Sequence, residues 1–148
     1  MRVLGVPAMR LLVQKLVRTD ADIRAAVKAW LSDPVSAEAE YGHITKWNVK
    51  AVTDMHELFY DAAGHSFDED LSGWDVSNVT NMRSMFKDAS SFNQDVSGWD
   101  VSNVTNMSYM FKGALNFNQD VSGWDVSNVT NMYSMFKGAR VQPPAWYV

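Results

Sequence analysis

Residues 97–107 read SGWDVSNVTNM, and the same string stands at 72–82 and at 122–132. A repeat of fixed period outranks any local reading, because each copy is then one unit laid against its neighbours. Trp74, Trp99 and Trp124 are evenly spaced and mark that period. A degenerate copy, TKWNVKAVTDM, precedes them at 45–55, with Trp47 set slightly further from Trp74 than the regular interval. The extra length falls near Ala63, Gly64, His65 and Ser66, whose composition predicts a surface loop.

Two periods run within one copy. The apolar positions Val104, Met107, Met110, Phe111 and Ala114 describe one face of a helix of about two turns. Asn103 or Thr105 is placed to cap it, and Gly113 stands where a left-handed end residue is wanted. Before that, Trp99 and Val101 alternate with Gly98, Asp100 and Ser102, the pattern of a short strand with one buried face. A single unit of this length buries too little apolar surface to offset its own ordering, so the copies must stack. The expected fold is therefore an α/β solenoid, a right-handed coil of short parallel strands and short helices. Strands pack at about 4.8 Å and helices at about 8–10 Å, which would set the helices on the outside of an arc.

The order apolar-x-x-apolar-x-apolar in Val96, Trp99 and Val101, followed by a segment rich in Met and Phe, resembles a leucine-rich repeat. More narrowly, the unit from Phe92 to Ala114 is similar to the BspA-like leucine-rich-repeat surface proteins, in the branch whose repeat has this same period and which is also found in mycoplasma lipoproteins. The resemblance covers about residues 41–140. It implies a repeat architecture, a place at the cell surface or outside the cell, and a role in adhesion.

Three regions follow: a helical segment and cap at 1–40, four copies at 41–140 with the first degenerate, and a C-terminal cap at 141–148. Thr19 to Asp22 resembles a capping box, and Ile23, Ala26, Val27, Trp30 and Leu31 form an apolar stripe at helical spacing, so a helix here would cover the first coil. Asp33 and Pro34 start a second short helix, which Gly42 ends. Trp146 and Tyr147 are placed to cover the last coil, and Pro143 and Pro144 block further sheet addition. Residues 1–18 are basic and apolar with no acid. Pro7 and Arg10 break the apolar run and no convincing cleavage site follows, so a leading helix is preferred to a targeting segment.

Of the 148 residues 47% are hydrophobic and 20% charged, a globular composition. No apolar run reaches the roughly 18 residues a membrane span needs. The absence of cysteine removes disulfides, thiol nucleophiles and cysteine-held zinc. The net charge of -4 is unevenly spread: residues 41–148 hold seven Lys and Arg against twelve Asp and Glu, which disfavours a nucleic-acid partner.

Asp70, Asp95 and Asp120 repeat in register, as do Asp75, Asp100 and Asp125. Calcium held between coils is one reading. The preferred one has the Asp95 set capping turns and the Asp100 set facing solvent, with no metal and no cofactor. The tryptophan row could offer a sugar platform. Each Trp shares strand parity with the following Val, however, which favours a buried aromatic ladder. Asn78, Asn103, Asn106 and Asn128 open glycosylation sequons at positions better suited to helix capping. No catalytic set emerges: His43, His56 and His65 are confined to the first copy, and the periodic carboxylates suit architecture better than an active site.

The expected ligand surface is a concave sheet face carrying Lys46, Asn48 and Lys50, then Asp75 with Ser77, Asp100 with Ser102, and Asp125 with Ser127, alongside Gly73, Gly98 and Gly123. The expected function is a non-enzymatic module that binds a protein or glycan there. Two alternatives remain: a structural subunit self-associating through its ends or edges, and a surface matched to ice or crystalline polysaccharide. An ice-binding face usually wants an aligned threonine row, and the aligned Thr80, Thr105 and Thr130 are expected at helix starts, which disfavours ice.

Overall fold

The computed structural model describes residues 5–62 and 66–148. The loop expected at residues 63–65 and the first four residues of the leading segment lie outside the described residues. Three α-helices precede the repeats: α1 (Val6–Leu16), α2 (Ile23–Ser32) and α3 (Pro34–Tyr41). α2 buries Ile23, Ala26, Val27 and Trp30, the face its spacing predicts. Asp33 caps α3, accepting from the Ser36 amide at 3.3 Å and the Ser36 hydroxyl at 2.7 Å, and Gly42 ends it at φ 77°. α1 buries no residue of its own. Among the described residues no helix is long and apolar enough to cross a membrane.

The repeats depart from expectation. Among the described residues there is no strand and no sheet, and the three α-helices all lie before the first copy. The chain is therefore not an α/β coil of parallel strands and short helices, and the arc derived from strand and helix spacing loses its basis. The reason lies in where the amides go. In the expected helix, the N–H groups of Met107, Tyr109, Phe111 and Gly113 donate to the carbonyls of Asn131, Tyr133, Met135 and Lys137 in the next coil, at 2.8–2.9 Å. Alternate amides close turns instead, Met110 onto Met107, Lys112 onto Tyr109 and Ala114 onto Phe111, at 3.0–3.2 Å. An α-helix needs every amide to reach back four residues, and left-handed φ values of 59° at Tyr109 and 72° at Gly113 exclude that.

The expected strand fails for a different reason. The Ser97 amide bonds Asp95 Oδ1 at 2.9 Å and the Ser102 amide bonds Asp100 Oδ1 at 3.0 Å. The amides of Trp99 and Val104 close turns onto Val96 and Val101 at 3.1 and 3.0 Å. Two side-chain-supported turns in succession leave no extended run. Among the described residues parallel pairing survives as isolated bridges, Asp54 to Asn81, Asn81 to Asn106 and Asn106 to Asn131 between copies, and Val17 to Asn48 ahead of them.

The copies nonetheless lie one upon another. Phe59, Phe86, Phe111 and Phe136 stack with ring centroids 5.3, 5.6 and 5.8 Å apart. Phe67, Phe92 and Phe117 form a second column at 6.0 and 6.1 Å. The indole N–H of Trp74, Trp99 and Trp124 donates to a carbonyl of the preceding coil, Ile44, Leu71 and Val96, at 2.9, 3.0 and 3.1 Å. Each buried indole thus satisfies its one donor while its ring fills the core.

The ends of the pile differ. At the first coil, Asp20 accepts from the amides of Thr53 and Asp54 at 2.9 and 3.2 Å and from the Thr53 hydroxyl at 2.7 Å. Buried Arg18 lies 4.8 Å from the Tyr41 ring and 5.3 Å from the Trp47 ring, tying the end of α1 to α3 and the first coil. At the last coil, Trp146 donates to the Val121 carbonyl at 3.2 Å and lies 6.0 Å from Phe136, continuing the indole row where the repeat motif has ended.

Candidate functional site

The stacking turns carry the acidic residues to the surface in two rows. Each carboxylate stands two residues before a serine whose amide it accepts: Asp70, Asp95 and Asp120 bond Ser72, Ser97 and Ser122 at 2.9 Å, and Asp75, Asp100 and Asp125 bond Ser77, Ser102 and Ser127 at 3.0 Å. The hydroxyls of Ser77 and Ser102 add bonds of 2.6 Å to Asp75 and Asp100. The Asp100 set therefore caps turns just as the Asp95 set does, as well as facing solvent. These bonds take Oδ1, so the second oxygen of each carboxylate has no protein partner among the described residues.

The nearby serine side chain, followed by the bond from its amide, holds all six carboxyls below their usual range. Neighbours in the row oppose this: Asp125 and Asp75 push Asp100 upward, and Asp70 does the same to Asp95. Contacts with the serine thus oppose charge repulsion along the rows locally at each turn. Among the described residues no three His, Asp or Glu side chains gather as a metal site.

The first coil begins both rows without a carboxylate. His43 Nδ1 accepts from the Thr45 amide at 3.3 Å, and Asn48 Oδ1 accepts from the Lys50 amide at 3.1 Å, reproducing the two turns without an acid. Lys46 lowers the Asp70 pKa and Lys50 that of Asp75, so the lysines face the ends of the two rows. The backbone of Asn48 is paired with the end of α1, its amide donating to Leu16 and its carbonyl accepting from Arg18 at 2.9 and 2.8 Å.

The eight expected site residues thus belong to one repeating turn system. It is not the concave sheet face expected of them, because no sheet is there to carry it. Gly98 and Gly123 have nothing within 4 Å of where a Cβ would sit, so packing does not demand glycine there. Their bare backbone leaves the ground between the two carboxylate rows open. The Asp70 row belongs to the same exposed turn system, which makes six carboxylates where three were expected.

Other features carry the lattice rather than a ligand. Trp47, Trp74, Trp99 and Trp124 are only 2–5% exposed, which removes them as a sugar platform. The amides of Asn78, Asn103 and Asn128 donate to the carbonyls of Lys50, Ser77 and Ser102 at 2.8, 2.7 and 2.6 Å, so they bridge coils instead of capping helices. A further polar ladder escaped the sequence reading: the Asn118 amide bonds Asn93 Oδ1, and the Asn93 amide bonds Asp68 Oδ1, at 2.9 and 2.8 Å. The recurring FNQD at 92–95 and 117–120 is the signal that could have revealed it.

Comparison with known proteins places this surface in context. The profile of a family described as "Mycoplasma protein of unknown function, DUF285" matches residues 29–145. No curated protein and no solved structure matches the chain.

Proposed function

The chain belongs to the DUF285 family, and from that premise we propose that it is a non-enzymatic recognition module whose ligand surface is the acidic turn face. One observation carries this: six exposed carboxylates, each ionised and each with a spare oxygen, are held at the spacing of a hydrogen-bonded lattice. A rigid row of acceptors loses little entropy on meeting a partner, and complementary charge speeds encounter. Lysines and arginines of a protein partner, or the hydroxyls of a glycan, match acceptor-only groups. Asp75, Asp100 and Asp125 with Ser77, Ser102 and Ser127 form the centre of this surface, and Lys46 and Asn48 its edge. The resemblance of residues 41–140 to BspA-like surface proteins supports a place at a cell surface and an adhesive role.

A lysine-rich peptide and a neutral polysaccharide, titrated separately by calorimetry, test the reading. The peptide is expected to bind, more weakly as salt rises. Asp100→Lys combined with Asp125→Lys should lower its affinity by about tenfold or more, measured well below the melting transition, which the loss of two turn bonds should lower by a few degrees without unfolding the pile. Equal affinity of the double variant for whichever probe binds, or binding of neither probe, would remove the acidic face as the site.

A further inference from the structure

The two ends of the coil pile are not equally closed. In the inner coils, the amides of Met107, Tyr109, Phe111 and Gly113 donate forward to the next coil, as do those of Met82, Ser84, Phe86 and Asp88. Their counterparts in the last coil are Met132, Ser134, Phe136 and Gly138, and none of these four amides has a hydrogen-bond partner among the described residues. The carbonyls of Thr53, Thr80 and Thr105 each accept from the threonine amide one coil on, at 2.8 Å, whereas that of Thr130 accepts from none among the described residues.

The apolar core opens on the same side. Val76 and Val79, like Val101 and Val104, are buried to within 1%, and Met82 and Met107 are fully buried. The equivalent Val126, Val129 and Met132 are only partly covered. The tail shields Phe136 with Trp146 and Tyr147 but leaves this half bare.

An edge of four donors and one acceptor, beside three half-covered apolar side chains, restricts what can sit on it. Two such ends placed face to face would set N–H against N–H. A second copy placed head to tail is obstructed too, because its first coil lies under α2, where Arg24 donates to the His56 carbonyl at 2.6 Å. A coil of the same repeat fits both demands: it offers carbonyls at alternate residues, a threonine amide, and Val, Val and Met in the matching places. We propose that the open end of the last coil is an interaction surface for a second polypeptide carrying the same kind of repeat, one whose leading coil has no helical cap. The partner adds one coil by backbone pairing, as an extra strand adds to a sheet edge.

The test uses the full chain, labelled with nitrogen-15, and a synthetic peptide of two repeats with the sequence of residues 70–119. Amide exchange is followed residue by residue. The peptide should slow exchange at Met132, Ser134, Phe136 and Gly138 by about tenfold or more, and leave Met82, Ser84, Phe86 and Asp88 as they were. A peptide of the same composition in scrambled order should do nothing. No slowing at the four amides, or equal slowing by the scrambled peptide, overturns the proposal. Neither outcome bears on the acidic face, which lies on the side of the pile.

Discussion

Gly113 has φ 72°, and a Cβ on it would run into the carboxylate of Asp88 one coil earlier. Gly138 has φ 79° as well, but its added Cβ would meet only the Gly113 backbone at 3.6 Å, an ordinary contact. The left-handed conformation costs an alanine about 1–2 kcal/mol, and a clash adds to it. Gly113→Ala is therefore expected to cost about 2 kcal/mol or more and Gly138→Ala about 1 kcal/mol, read from the midpoints of urea unfolding. If Gly138→Ala is the costlier of the two, the packing of Asp88 over Gly113 is not what distinguishes them. The need for glycine at Gly113 was legible from sequence, though for another reason: it was read as a helix end, and it serves as a left-handed turn. His43 and Asn48 were harder to read. Aligning the copies sets Asn48 against Asp75 and His43 against Asp70, but nothing in their spelling says that they keep the aspartate's hydrogen-bond role at the turn.

Among the elements, the N-terminal helices were the most legible, since their apolar pattern and breakers are local, although α2 begins at Asp22 without the side-chain cap bond expected of Thr19. What they do for the repeats was not. The segment between α1 and α2 brings Asp20 to the edge of the first coil, where its carboxylate accepts two amides and a hydroxyl that no earlier coil exists to satisfy. Asp20→Ala should thus behave as the loss of a cap, costing about 1 kcal/mol and speeding exchange at the Thr53 and Asp54 amides. An unchanged exchange rate at those amides would show that the carboxylate is dispensable there. The helix expected in each repeat is the instructive failure. Val104, Met107, Phe111 and Ala114 point to one side whether the chain runs as a helix or as a series of short turns. The apolar pattern cannot separate the two. The choice rests on whether the amide of Phe111 meets a carbonyl in its own turn or that of Met135, in the following coil.

For the whole molecule, acid should be the sensitive variable. Asp20, Asp33, Asp54 and the six row carboxylates all have their pKa lowered in the folded state. The unfolded chain then binds more protons than the folded one near pH 3 to 4, so stability rises with pH across that range. It should be fully present above about pH 5 and decline as pH falls below about 4, through the folded values. Melting temperatures measured from pH 7 to pH 2 check this, and a flat profile in the acid range would mean the serine bonds contribute nothing. By itself, the sequence determined the period, the stacking and the identity of the buried side chains, because burial depends on side-chain chemistry repeated at a fixed interval. Only the tertiary structure decided the path of the backbone within each copy, and with it the absence of strands and α-helices from the three regular copies among the described residues. The partner of each amide was settled by the neighbouring coil, and a carbonyl one whole repeat distant leaves no local signal in the residues that bond to it.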